Sequence, residues 1–184
     1  DQDGVRLGVR VAGAGHSFTA LVASDDVIVA LDGLAGLIAA DPGAGESGEA
    51  ELWAGTPIHA IGPALHEHGL ALRNQGDIDR QAVAGACGTG THGTGPGFTS
   101  FSGVVTGATL ALASGELVRC DAGHEPDLFR AAQLSLGALG VVTRLRLAVR
   151  PSYRLHEREW AEPVDEALDR LDERIAATRH FEFF

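Results

Sequence analysis

Cysteine is nearly absent from this chain: Cys87 and Cys120 are the only two. Two cysteines make no disulfide framework, and neither has the spaced partners of a zinc site. Their scarcity favours a reducing compartment, and a cytoplasmic location is the expectation. Methionine is missing altogether and the sequence starts at Asp1, so a piece of a longer protein is expected, with an upstream targeting segment left open. Basic residues are few, 14 against 25 acidic ones, which gives a formal net charge of −11. That balance argues against nucleic acid and anionic membrane as partners. A phosphate-bearing ligand would have to be held mainly by backbone amides. No apolar run is long enough to cross a bilayer. What remains, 45% hydrophobic and 21% charged residues in 184, suits a soluble domain with a real core, or one domain and part of a second.

Glycine, by contrast, is abundant, and it is concentrated. Gly85-Ala86-Cys87-Gly88-Thr89-Gly90-Thr91-His92-Gly93-Thr94-Gly95 has five glycines in eleven residues. Glycine permits φ > 0 and close approach of a ligand to the main chain. Successive free N–H groups in such a run form a concave nest for anionic oxygens, and the threonine hydroxyls add neutral donors. The run therefore reads as a phosphate or diphosphate loop. A shorter loop upstream, Gly13-Ala14-Gly15-His16-Ser17-Phe18, follows the apolar Val9-Arg10-Val11-Ala12. It carries the first two glycines of the dinucleotide fingerprint, but Phe18 stands in place of the third and no helix start follows. A Rossmann turn is thereby rejected, and a phosphate loop is retained.

The remaining pattern mixes strands and helices without regular alternation, an α+β signature. Strands are expected at residues 5–12, 27–31, 51–54, 107–113, 116–120 and 141–149, with residues 41–49 as an exposed turn. Ser114-Gly115 marks a hairpin. A helix is expected after Thr56-Pro57, with threonine as N-cap and proline at the first helical position. Ile58, Ile61 and Leu65 make its buried face and Gly69 its stop. A second helix is expected after Glu125-Pro126. Pro151 is read as the end of the preceding strand. From about Pro163 a charged helix follows, with Leu168, Leu171 and Ile175 as its apolar stripe.

His16 lies on a loop outside any periodic apolar pattern, which favours contact with a ligand. His92 is placed similarly; it either contacts a ligand or bonds its own loop. His59, His66 and His68 lack zinc spacing, and no metal is expected. Cys87 satisfies a need for a small side chain in the loop, with no activating base or cation beside it. Asp77 and Asp79 are read as Asx-type residues shaping the turn into the glycine run.

These residues resemble a known family. Gly13-Ala14-Gly15-His16-Ser17-Phe18 is similar to the first flavin loop of the aldonolactone and alditol oxidases, FAD enzymes of the vanillyl-alcohol-oxidase (PCMH-type) fold. Asn74-Gln75-Gly76-Asp77-Ile78-Asp79, then Ala84-Gly85 and Thr89-Gly90-Thr91-His92-Gly93-Thr94-Gly95, resembles their second loop. Leu136-Gly137-Ala138-Leu139-Gly140-Val141-Val142-Thr143 resembles a later strand-entry motif. Order and spacing agree over essentially the whole chain, most closely with L-gulonolactone and D-arabinono-1,4-lactone oxidases.

The resemblance implies an FAD domain of two α+β subdomains at residues 1–150, its first strands missing, and the start of a substrate (cap) domain at 151–184. It implies cofactor contacts from Gly13, Ala14, Gly15, His16, Ser17, Gly76, Asp77, Gly85, Gly88, Thr89, Gly90, His92, Gly93 and, at the adenine end, the backbone of Val141. His16 matches the histidine that many members bond covalently to the flavin. Gly76 matches a position controlling access of oxygen, where a small residue suits an oxidase. The implied reaction is oxidation of a CH–OH carbon in a sugar lactone or polyol, with oxygen or another acceptor taking the electrons. Acid/base residues are expected mainly in a C-terminal region beyond this chain. The alternatives are a dehydrogenase using another acceptor, a flavin-free phosphate-ligand module, and a redox partner or structural fragment.

Overall fold

The computed structural model describes residues 7–184. The opening of the strand expected at 5–12 therefore lies outside the described residues. β1 (Val9–Ala12) and β2 (Val27–Ala30) pair in parallel, from Val9↔Val27 to Ala12↔Ala30. β-branched residues favour the extended chain here. Asp26 fixes the entry to β2 by accepting a 2.7 Å hydrogen bond from the Gly8 N–H.

The larger sheet has six strands: β3 (Leu37–Asp41), β4 (Gly48–Trp53), β5 (Leu70–Leu72), β6 (Val105–Ala111), β7 (Leu117–Asp121) and β8 (Val141–Pro151). Its order is β3-β4-β8-β6-β7, with β5 paired to the end of β8, and every pairing is antiparallel. β8 is the organising strand. Leu145, Leu147 and Val149 alternate into the core, as a period of two requires. The intervening arginines find partners outside it. Arg144 covers the Trp53 ring at 4.5 Å, and Arg146 reaches Asp121 at 2.8 Å and Glu49 at 3.7 Å.

α1 (Ile58–His66) lays Ile58, Ile61 and Leu65 into this core with Leu52, Leu110 and Leu147, all fully buried. Each such side chain contributes ~1.5–3 kcal/mol relative to exposure. α2 (Val83–Gly88) and α3 (Pro126–Ala132) add Val83, Ala86, Cys87, Phe129 and Ala132. A small parallel sheet and a large antiparallel sheet with flanking helices make an α+β architecture, as expected.

Several local expectations are corrected. Pro57, not Thr56, occupies the N-cap of α1. The buried Thr56 hydroxyl instead donates to the Trp53 carbonyl at 2.6 Å and accepts from the Gly36 N–H at 2.9 Å, tying two connections together. β3 was not foreseen, because Leu-Ile-Ala-Ala-Asp carries little alternation; pairing with β4 makes it a strand, and the turn shrinks to residues 42–47. β8 runs two residues beyond the expected 149 and does end at Pro151, which pairs with Leu70. The last helix is two short ones, α4 (Val164–Asp169) and α5 (Leu171–Ala177), broken at Arg170. Of the expected stripe, Leu171 and Ile175 are half-buried, whereas Leu168 is exposed and Ala167 is the buried residue of α4.

Candidate cofactor site

The first loop leaves β1 at Gly13. Among the described residues, none of the N–H groups of residues 13–19 donates a hydrogen bond. Gly15 takes φ +77° with nothing within 4 Å of where a Cβ would stand. Phe18 is held at φ +51° although it is not glycine, and its side chain is 90% exposed. Such a conformation costs of order 1–3 kcal/mol and collects at functional loops. His16 is half-buried and meets Phe18 edge-on, ring centroids 6.2 Å apart. Neither of its ring nitrogens has a hydrogen-bond partner among the described residues. A free imidazole on a loop of free amides is consistent with the ligand-contacting role expected of it.

The first half of the long glycine run is not a loop. Residues 83–88 form α2, anchored where Val83 N–H donates to the Thr56 carbonyl at 2.9 Å and Ala84 N–H to the Ala54 carbonyl at 3.1 Å. Burial of Val83, Ala86 and Cys87 on one face stabilises the helix despite its glycines. The nest of free amides expected there is consequently not formed: Ala86, Thr89, Gly90 and Thr91 donate to the carbonyls of Ala82, Gly85, Cys87 and Ala86. Gly85 and Gly88 serve differently. Neither has an atom within 4 Å of a would-be Cβ, so both face open space. A Cβ on Gly13 would sit 3.5 Å from the Ala82 Cβ and 4.0 Å from the Gly85 Cα. The first loop and the start of α2 thus line one glycine-walled cradle.

The second half is a true loop, and its glycines answer to packing. A Cβ on Gly93 would lie 2.0 Å from the Gln75 carbonyl oxygen, and one on Gly76 would lie 2.9 Å from that of His92. Residues 74–76 and 92–95 therefore lie backbone to backbone. Asn74 spans them, donating from Nδ2 to the Thr94 carbonyl at 3.2 Å and accepting the Gln75 N–H at Oδ1 at 2.9 Å. Gln81 donates to the Thr91 hydroxyl at 2.9 Å. His92 is exposed and its Nδ1 bonds the Gly93 carbonyl at 3.1 Å, the own-loop alternative left open above.

Asp77 and Asp79 do not shape this turn through Asx bonds. Asp77 is exposed, and Asp79 uses its carbonyl to accept the His59 N–H at 2.9 Å while its carboxylate pairs with Arg80 at 3.3 Å. Asn74 and Gln81, which lock the loops, carry no sequence signal beyond their place beside the glycines.

The third motif meets the second where Leu136 N–H donates to the Gly88 carbonyl at 3.2 Å and Leu134 lies against Gly90. Leu136 and Gly137 both have positive φ, 51° and 75°. Val141 follows at the start of β8 and is half-buried. Burial pushes the Cys87 thiol up to about 12, as its structural reading requires. Among the described residues no group of three metal-ligating side chains forms.

The donor set suits a dinucleotide with an anionic bridge. It offers unpaired amides, glycines facing open space and no lysine or arginine in residues 13–19 or 83–95. Comparison with known proteins identifies that ligand. The family model of the FAD binding domain matches residues 4–121. L-gulono-1,4-lactone dehydrogenase of Mycobacterium tuberculosis is 38% identical over 176 residues, 96% of this chain and 40% of that protein. D-arabinono-1,4-lactone oxidase of Eremothecium gossypii is 37% identical over 162 residues, 88% of this chain and 30% of that one. L-gulonolactone oxidase of Mus musculus is 31% identical over 175 residues, 95% and 39%.

The chain thus spans about two fifths or less of the length of these relatives. Among solved structures, 6-hydroxy-D-nicotine oxidase from Arthrobacter nicotinovorans superposes with a TM-score of 0.68 at 24% identity, covering 79% of this chain and 31% of that one. Cholesterol oxidase from Brevibacterium sterolicum gives 0.68 at 23%, covering 79% and 30%. With glycine cradle, free-amide loop and fold in agreement, this chain belongs to the FAD binding domain family and has its PCMH-type fold.

Proposed function

We propose that this chain is the cofactor-binding part of an FAD-dependent enzyme that oxidises a CH–OH carbon of a sugar-1,4-lactone. The observation that carries this reading is the alignment of 88–96% of the chain with three proteins named for sugar lactones. An alditol, with the same CH–OH chemistry, is the second substrate class. When bound, FAD supplies the hydride acceptor.

The chain's residues bind and orient. Amides of Gly13, Ala14, Gly15, His16 and Ser17 are suited to hold the anionic bridge of FAD. Gly85 and Gly88 admit it close to the main chain. Gly76, Asp77, Thr89, Gly90, His92 and Gly93 belong to the second loop, and the Val141 backbone would contact the adenine end. His16, with both ring nitrogens free, is the candidate for covalent attachment. Residues 1–150 are the FAD domain and 151–184 begin the substrate domain.

The electron acceptor is oxygen in the primary reading, since Gly76 is small. A dehydrogenase is the second reading, favoured by the name of the 38% identical relative. Gly76 is also required by the His92 carbonyl beside it, so its size has a packing reason independent of oxygen. Steady-state turnover of the full-length protein on a panel of 1,4-lactones and alditols, in air and with an artificial dye under nitrogen, tests the reading. Turnover of a lactone supports it, and air against dye separates oxidase from dehydrogenase. A flavin-loaded protein inert toward every lactone and alditol contradicts it.

A further inference from the structure

The segment after β8 returns to the second glycine loop. Ser152 and Tyr153 begin it by bonding the backbone of β5 and of Gly69 just before it. Ser152 N–H donates to the Gly69 carbonyl at 2.8 Å, its hydroxyl to the Leu70 carbonyl at 2.9 Å, and the Tyr153 hydroxyl to the Leu72 carbonyl at 3.3 Å. At its far end, beyond α5, Arg179 and His180 reach the loop pair described above.

His180 Nδ1–H donates to the Thr94 carbonyl at 3.0 Å, the same oxygen that accepts from Asn74, and its ring stacks on Phe98 with centroids 5.2 Å apart. Arg179 donates from Nη2 to the Arg73 carbonyl at 3.2 Å and lies between two rings, 4.3 Å from Phe98 and 4.9 Å from Tyr153. The tail comes so near that a Cβ on Gly95 would stand 2.6 Å from the Arg179 carbonyl oxygen. Gly95 takes φ +101°, so glycine is needed there for conformation and for room.

We propose that Arg179 and His180 are positioning residues for the FAD site. They clamp residues 73–76 and 92–95 together from outside the cofactor loops, through the Arg73 and Thr94 carbonyls. Both residues lie beyond the part matched by the family model, residues 4–121. The inference rests on the FAD reading of those loops. Its physical basis is that a loop held at both strands is pre-organised, and a binding site pre-organised by a distant segment loses affinity when that segment is released. A carbonyl that keeps Asn74 but loses His180 leaves the loop free to shift.

The test is reconstitution of full-length apo-protein, produced under riboflavin limitation so that it has never carried flavin, over a range of FAD concentrations, reading the concentration that gives half-maximal flavin loading. His180→Phe keeps the ring on Phe98 and removes the donor; it is expected to raise that concentration about tenfold. His180→Asn keeps a donor near the Nδ1 position and is expected to stay within about threefold of the parent. Arg179→Met keeps the aliphatic stem and is expected to behave like His180→Phe. It also serves if His180→Phe does not fold.

A merely structural role would lower the melting temperature of the apo-protein and leave half-loading unchanged, which overturns the proposal. Equal loss in His180→Phe and His180→Asn also overturns it, because the donor would then not matter. If the parent protein takes up no FAD at any concentration, the FAD reading itself fails, and the clamp with it.

Discussion

Replacing Gly85 with alanine is expected to raise the stability of the apo-protein and weaken FAD binding at once. Gly85 lies inside α2, and a Cβ there meets nothing within 4 Å. Alanine is favoured over glycine in a helix interior by roughly 0.5–1 kcal/mol, because it loses less backbone entropy on folding. With no clash to offset that gain, the melting temperature should rise by about 1–4 °C for a domain of this size. The same methyl stands in the open space beside α2, where FAD is proposed to lie. Overpacking of a fitted site costs about 1–3 kcal/mol, which weakens FAD roughly 5- to 150-fold. Differential scanning fluorimetry of apo-protein produced under riboflavin limitation reads the first effect, and FAD titration of the same protein the second. A rise in melting temperature with unchanged FAD affinity would place the cofactor elsewhere. A fall in melting temperature would mean that the space beside Gly85 is not open.

Other substitutions separate packing from binding in the opposite sense. Gly93→Ala puts a methyl 2.0 Å from the Gln75 carbonyl oxygen, and urea unfolding of the apo-protein should show a loss of about 1–3 kcal/mol or more; an unchanged midpoint would contradict the backbone-to-backbone packing of the two loops. Cys87, with its thiol pushed up to about 12 by burial, should resist alkylation in the native state near neutral pH and react only after unfolding; fast native labelling at that residue would refute its burial. Glu162 is held below the ordinary glutamate value by the hydrogen bond from Arg174, with Arg174 itself lying over the Trp160 ring at 5.3 Å. A carboxyl depressed in the folded state stabilises fully above its unfolded value of 4.5 and loses that contribution as pH falls toward its folded one. Glu162→Gln should therefore reduce the melting temperature above pH 4.5 and converge with the parent as the pH falls below 4.5; parallel curves would count against this origin.

The α+β class, the β6–β7 hairpin, the face of α1 and the alternation along β8 were all legible, because each depends on a short-range period or a turn residue. Legibility ended where tertiary contacts chose among local options. Thr56 looks like an N-cap, yet its hydroxyl is taken by Gly36 and Trp53. Val83-Ala84-Gly85-Ala86-Cys87-Gly88 looks like a loop, yet burial of Val83, Ala86 and Cys87 makes it helical. The glycines themselves were legible as a group and not in their separate reasons. Gly13, Gly85 and Gly88 line the open cradle, whereas Gly76, Gly93 and Gly95 are needed where backbones or the C-terminal segment approach. Nothing local in Arg179-His180 announces a contact with Arg73 and Thr94, which lie 106 and 86 residues away along the chain.

The most direct test of the account is the visible spectrum of the purified full-length protein, before and after acid precipitation. Flavin absorption is the predicted result, with the colour remaining in the pellet and released by His16→Ala. Colour that passes to the supernatant would keep FAD and make His16 an ordinary contact. A colourless protein that takes up no FAD on reconstitution would contradict the assignment of the glycine loops to a flavin.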